Sequence, residues 1–223
     1  MKIAVYGKTP ESKTQLQKEI KKAGFQYDEK KPDIVVSYGG DGTFLSAERK
    51  YPGVLKALFR YSKICKKCHN LPITHALELI KKKKYKIIEH KKLEAKGLFA
   101  TNDMIIRNKN PTHAIRFMLE INNKKINGEI IGDGIIASTP FGSTAYFHSI
   151  TRKTFAKGIG IAFNNTIEEH KPLLLNEKAK VKLTITRGEA FLAADNNPKM
   201  LTIKPGNSIT IKTSKKKAKL ISF

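Results

Sequence analysis

The sequence predicts an α/β fold for its first part and an all-β, sandwich-like fold for the remainder. Up to Tyr38, short apolar runs alternate with one amphipathic helical stretch. From about Thr101, short runs follow one another between turn signals. At 223 residues and 40% apolar composition, the chain can bury its cores without covalent staples, as one large domain or two modest ones.

Ile3–Tyr6 is a short strand closed by Gly7. Thr9-Pro10-Glu11-Ser12 then supplies N-cap and first-turn chemistry for a helix to about Ala23, which Gly24 ends. Leu16, Ile20 and Ala23 form its apolar stripe. Asp33–Tyr38 is a compact buried-strand candidate, so strand, helix and strand predict a parallel pair with a right-handed crossover. Thr43–Arg49 and Pro72–His75 read as helix starts, and Lys81–Lys84 as a solvated helix end, which is favoured, or a phosphate-facing patch.

In the second part the runs are Met104–Arg107, Ala114–Ile121, Glu129–Ser138, Val181–Thr186, Ala190–Ala194, Met200–Ile203 and Ser208–Lys212. Asn108–Pro111, Asn122–Asn127, Arg187-Gly188, Asn196–Pro198 and Pro205–Asn207 separate them. Leu220–Phe223 turns apolar after the basic Ser214–Lys219, which predicts a docked C-terminus.

The net charge of +24 invites a polyanion partner. Only six basic residues are Arg, and the Lys are spread along the chain, which argues for a general surface bias over a nucleic-acid site. A nucleotide fits the same charge. No apolar run approaches the roughly 18–20 residues of a membrane span, and the apolar N-terminal stretch is too short for a signal peptide. Two cysteines make no disulfide framework, so a cytoplasmic protein without a membrane partner is expected.

Two stretches carry chemistry. Gly39-Gly40-Asp41-Gly42-Thr43 stands at the carboxyl end of the Asp33–Tyr38 strand, where open parallel sheets gather ligands. Consecutive glycines let backbone N–H groups converge on an anion, and the helix starting at Thr43-Phe44 adds positive potential. Asp41 suits proton acceptance from an attacking hydroxyl, or a metal bridging phosphate oxygens. The plainer alternative is a glycine-rich turn in which Asp41 satisfies backbone donors. The second stretch, Gly132–Tyr146, runs from a strand into a Pro-Gly turn and a cluster of Thr139, Ser143, Thr144 and Tyr146. Hydroxyls suit ribose and phosphate oxygens, and a tyrosine ring offers a base a stacking face. Its plain reading is a polar loop between strands.

Taken together, GGDGT at Gly39–Thr43, the Asn-acid pair Asn102-Asp103, and GDGIIASTPFGSTAY at Gly132–Tyr146 resemble the NAD kinase family. The resemblance covers most of the chain, and the last stretch is the more specific. It implies phosphorylation of NAD at the adenosine 2′-hydroxyl, giving NADP, with Asp41 as proton acceptor and Gly39, Gly40, Gly42, Thr43 and Phe44 near the phosphates. Asn102 and Asp103 match its dinucleotide-binding Asn-Glu pair, Asp133 the acidic residue of its second motif, Thr144, Ala145, Tyr146 and Ser149 the segment that lines its dinucleotide pocket, and Asp195 and Asn197 its late Asp-x-Gln segment; Thr139 and Ser143 stay candidates through their hydroxyls. It also implies ATP or inorganic polyphosphate as donor, Mg²⁺ or another divalent metal with the donor phosphates, and a homodimer or homotetramer whose pocket a neighbouring subunit completes. The expected organisation is a Rossmann-like α/β domain over 1–98, rejoined by 208–223, and a β-rich dinucleotide-binding domain over 99–207, with the dinucleotide in the crevice between. The chain departs from the family at Asp103 (for Glu), Asn197 (for Gln), Ile131, and Ile150-Thr151-Arg152-Lys153, and lacks a recognisable glycine-rich strand in Val54–Cys65.

Cys65-Lys66-Lys67-Cys68-His69, with His75 nearby, has enough thiols and imidazoles for zinc but lacks a second spaced pair. Neighbouring lysines would favour thiolates and a redox-sensitive pair. Plain structural cysteines remain the leading reading. The rivals to the whole assignment are a kinase of the same superfamily acting on a lipid or other alcohol, and a non-catalytic nucleotide or nucleic-acid binder.

Overall fold

The computed structural model describes residues 1–7, 9–61, 65 and 67–223. The chain divides into two units, Met1–His90 with Lys217–Phe223, and Lys91–Lys216.

In the first unit, β1 (Lys2–Gly7) lies parallel to β3 (Ile34–Gly39), joined through α1 (Pro10–Lys22) and the two-residue β2 (Gln26–Tyr27). The α1 N-cap is Thr9, whose hydroxyl accepts the Ser12 N–H at 3.3 Å, and proline fills the first turn. The next elements are α2 (Asp41–Lys50), β4 (Leu55–Arg60) and α3 (Ile73–Lys81). The parallel order is β2-β1-β3-β4, and Lys219 and Leu220 of β16 (Ser208–Ser222) extend it beside β4. One face packs Ile3, Val5, Ile34, Val36 and Phe59 with Leu16 and Ile20 of α1 and Leu77 and Ile80 of α3. Ala4 and Val35 meet Ala47 of α2 and Tyr51 on the other. Burial on both faces is why β3 reads as an unbroken apolar run.

Sequence patterning missed β4 because Lys56 sits in its interior, fully buried. The Lys56 ammonium meets the buried Glu48 carboxylate of α2 and the Tyr51 carbonyl, while Glu48 Oε1 accepts the Gly53 N–H at 2.9 Å. Lys81–Lys84 does end a helix in exposed residues.

The second unit is built of two antiparallel sheets. One is ordered β12 (Leu173–Leu175), β11 (Ile159–Asn164), β10 (Gly134–Ser138), β7 (Asp103–Asn108), β14 (Ala190–Ala194) and β15 (Leu201–Ile203). The other holds the first part of β16, then β13 (Lys180–Arg187), β8 (Ile115–Ile121) and β9 (Lys124–Gly132); β5 (Lys86–Ala95) pairs with β6 (Leu98–Ala100). Met104, Ile106, Ile135 and Leu192 share a core with Phe117, Leu119, Leu183 and Ile211. The short α4 (Tyr146–Thr151) covers the outer face of the first sheet through Phe147, against Ile136 and Ala162.

The boundaries expected at 98/99 and 207/208 fall instead at 90/91 and 216/217. Leu93 and Ala95, at the end of β5, belong to the second core, and β16 is paired with β13 from Ser208 to Lys212. The run Glu129–Ser138 is two strands in different sheets, β9 and β10, broken at Asp133. Gly134 makes the break possible: its φ is +128°, and a Cβ there would stand 2.0 Å from the Ile106 carbonyl oxygen. The turn expected over Asn122–Asn127 narrows to Asn122 and Asn123, both at positive φ, after which β9 begins. No helix among the described residues is long and apolar enough to cross a membrane.

Candidate active site

Gly39 is the last residue of β3, Gly40 the extended N-cap of α2, and Asp41 its first helical residue. A Cβ on Gly39 would lie 2.1 Å from Thr43 Oγ1, so only glycine lets α2 start this close to the strand. Thr43 turns its hydroxyl back to accept the Gly40 N–H at 3.3 Å. The side chain of Asp41 is thereby held half-buried at the positive end of a helix, beside exposed Gly42. Phe44 has its ring in the interior, 1% exposed, leaving only its backbone for a phosphate. The parallel strand, glycine turn and helix start that the sequence predicts are therefore all in place, with the helix beginning two residues earlier than expected.

The second unit brings the late Asp and the Asn-acid pair together. Asp195, just beyond β14 and at a φ of +50°, accepts three backbone N–H groups: Thr101 and Asn102, both at 2.7 Å, and Asp103 at 3.1 Å. Burial raises its carboxyl above the usual carboxylate range, against the pull of those donors and of Lys92. The STPFGSTAY stretch docks on the same segment. The Asn102 carbonyl accepts the Thr139 N–H at 2.9 Å, Thr139 Oγ1 donates to the Thr101 carbonyl at 2.6 Å, and the Gly142 N–H donates to Thr139 Oγ1 at 2.9 Å. Gly142 packs so tightly that a Cβ would stand 2.3 Å from the Asn102 carbonyl oxygen.

These contacts separate framework from exposed chemistry. The hydroxyls of Thr139 and Ser143, expected to meet ribose or phosphate, are buried and bonded to backbone; Ser143 Oγ faces the Pro140 and Phe155 carbonyls at 2.8 and 3.2 Å. Asp195 is likewise a clamp. Asn197 caps its own turn, accepting the Lys199 N–H at 3.0 Å. By contrast, Asn102 Oδ1 is buried without a hydrogen-bond partner among the described residues, and Thr144, Ala145 and Tyr146 are partly exposed at the α4 start, with Ser149 exposed one turn on. His148 also has a buried, unpartnered Nδ1 among the described residues, and no sequence signal singled it out. The Ile150–Lys153 departure is the end of α4, where Arg152 takes a left-handed conformation.

Asp133 does not join this cluster. In the β7–β10 pairing Asp103 faces Ser138, whereas Gly134 faces Arg107, so Asp133 sits at the far end, roughly 16 Å along the strand. There its oxygens accept Asn108 Nδ2 at 3.0 Å and Asn165 Nδ2 at 3.2 Å. Cys65 and Cys68 form a disulfide, so neither supplies the thiolate a zinc ion requires. Of the lysines flanking them, Lys63 and Lys66 lie outside the described residues.

Residues 101–223 match the model of the ATP-NAD kinase C-terminal domain. Across its whole length the chain is 31% identical to an NAD kinase of Sulfurisphaera tokodaii, covering 96% of that relative. It is 28% identical to one from Clostridium perfringens over 86% of the chain and 75% of the relative. Two solved structures share the fold. An Archaeoglobus fulgidus NAD kinase in complex with ATP aligns with a TM-score of 0.85 at 18% identity, covering all of this chain and 94% of that one. Yeast NADH kinase complexed with NADH aligns with a TM-score of 0.87 at 16% identity, over all of this chain and 83% of that one.

Proposed function

Because the chain belongs to the NAD kinase family, a family of phosphotransferases, we propose that it phosphorylates the adenosine 2′-hydroxyl of NAD to give NADP, with Asp41 as proton acceptor. The observation that carries this is the placement of Asp41, a half-buried carboxylate between glycines where β3 ends and α2 begins. A ribose hydroxyl is a weak nucleophile at neutral pH. A carboxylate that takes its proton as the new O–P bond forms and the donor's bridging P–O bond breaks lowers that barrier. The N-terminal end of α2 favours the charge that develops on the phosphates.

In the second unit, Asn102 Oδ1 is the acceptor that suits a dinucleotide amino or hydroxyl group, because a buried unpaired oxygen is costly until a ligand fills it. Tyr146, Thr144, Ala145 and Ser149 supply the neighbouring surface. Asp133 bonds Asn108 and Asn165 at the far end of β10 and has no part in this surface; a homodimer or homotetramer rests on the family resemblance alone.

ATP is the donor we favour over polyphosphate, since the structural relative from Archaeoglobus fulgidus holds ATP. Among the described residues no group of three His, Cys, Asp or Glu is arranged to hold a metal ion. If a divalent ion such as Mg²⁺ accompanies the donor phosphates, Asp41 is the one carboxylate of the loop that would help hold it, and the ion would supply charge neutralisation. The decisive assay crosses NAD or NADH with ATP or polyphosphate, with and without Mg²⁺. NADP formation from NAD and ATP is the expected outcome, and product in no combination would overturn the proposal.

A further inference from the structure

The two cysteines take no part in phosphoryl transfer, yet they touch its loop. Cys65 Sγ lies 3.4 Å from Asp41 Oδ1, and Cys68 Sγ lies 3.8 Å from the Gly39 carbonyl oxygen. As a disulfide the sulfurs carry no proton, so neither contact is a hydrogen bond, and that Asp41 oxygen keeps its lone pairs for a substrate hydroxyl. Once reduced, the same sulfurs become S–H donors aimed at the same two oxygens.

Among the described residues, Cys65 and His69 each have backbone or ring partners in the first unit. Arg60 Nη2 donates to the Cys65 carbonyl at 3.2 Å. On the other side the His69 N–H donates to the Leu58 carbonyl at 2.9 Å, and His69 Nε2–H to the Ile221 carbonyl at 2.9 Å. A bridge between residues three apart constrains the unfolded chain less than a long loop would, so stapling is a weak reason for it. The spacing is that of a Cys-x-x-Cys redox pair. Access is graded too: Cys65 is 6% exposed, whereas Cys68 is only partly buried.

We propose that Cys65–Cys68 is a reversible thiol–disulfide modification site that sets the rate of phosphoryl transfer through Asp41. The proposal rests on Asp41 being the proton acceptor. A dithiol reductant supplies one thiolate that attacks Cys68 Sγ; the S–S bond breaks, and Cys65 leaves as a thiolate that takes a proton. The reductant's second thiolate then displaces Cys68, which is also protonated. Two electrons have passed to the pair, and the reductant departs as its own disulfide. In the reduced state Cys65 S–H donates to Asp41 Oδ1, which stabilises the ionised carboxylate and makes it a weaker base toward the substrate proton. The oxidised enzyme is therefore the fast form.

The test equilibrates the full chain with graded ratios of oxidised and reduced dithiothreitol. Thiols are trapped with a maleimide and counted by mass, and kcat and KM for NAD are measured at each ratio. Two adducts should appear together while kcat falls about threefold to tenfold, the worth of one modest hydrogen bond, with KM little changed. Cys65→Ala should keep the fast kcat under both conditions, and Cys68→Ser, which leaves a permanent Cys65 thiol, the slow one. A bond that never forms or never opens overturns the proposal, as does a kcat that is constant or rises on reduction. Equal losses in Cys65→Ala and Cys68→Ser would instead make the bridge a staple and overturn it too. Absence of NADP formation in both redox states would overturn the kinase reading, and this one with it.

Discussion

Asp41 and Asp195 are each a carboxylate just past the carboxyl end of a strand, one in each unit, and their surroundings assign them opposite work. Asp195 accepts three backbone N–H groups and fixes the Thr101–Asp103 segment. Asp41 has glycines on either side, and the one contact to its carboxylate described above is from a disulfide sulfur. A carboxylate saturated by backbone donors organises a fold, and one left half-exposed at a helix start is available to react. Residue type and motif do not separate these two surroundings, whereas hydrogen-bond partners do.

The comparison breaks most sharply at Asp41. Asp41→Asn should lower kcat by roughly 10²–10⁴-fold, the usual worth of a general base, while chemical denaturation shows unchanged stability. Asp195→Ala should do the reverse in kind. Orphaning three backbone donors should cost about 2–4 kcal/mol of stability in urea titrations, with a raised KM for the dinucleotide as Asn102 loses its position. Wild-type stability in Asp195→Ala would mean that the clamp is not structural.

A smaller effect sharpens the contrast through pH. Asp28 is partly buried, and its carboxyl is lowered to about 2, first by the Lys2 ammonium at 2.9 Å and then by the Lys31 and Lys30 N–H groups. Its folded-state pKa lies below its unfolded value, so its contribution is present above about pH 4 and lost as pH falls through about 2. Asp195 has the opposite sign: its carboxyl is raised, so the folded state holds the proton more tightly and its contribution falls as pH rises from about 4 through the folded value. Thermal melts across pH should show Asp28→Asn slightly less stable than wild type at pH 7, with the gap narrowing as pH falls from about 4 toward and below 2. A gap that does not narrow between about pH 4 and about pH 2 would show that the Asp28 partners act through something other than its charge.

Much of the first unit was legible because its elements are locally consistent. The Thr9 cap, the Leu16/Ile20 stripe and the apolar β3 each point to the element that forms. β4 was not, since Lys56 reads as surface until Glu48, from α2, is placed opposite it. The break at Asp133 was hidden for a related reason: only the approach of the Ile106 carbonyl shows that Gly134 is a turning point. At the site, the glycine loop was read from residue type and its place after a strand, and the Asn102-Asp103 pair only from the family resemblance. The hydroxyls of Thr139 and Ser143 were read as ligand contacts because composition cannot say which hydroxyls backbone carbonyls will claim. The disulfide beside Asp41 depends on a loop returning across the end of β3, a tertiary fact.

The strand β16 has a consequence for the order in which the chain can be completed. Residues 217–223 belong to the first unit, yet they are synthesised only after all of 91–216. Lys219 and Leu220 close the parallel order beside β4, and Ile221 lies in the core with Phe59. During synthesis the β4 edge therefore stays unpaired on that side until 217–223 have been made. An unpaired strand edge invites pairing with another chain, so the nascent first unit carries that hazard throughout synthesis of 91–216.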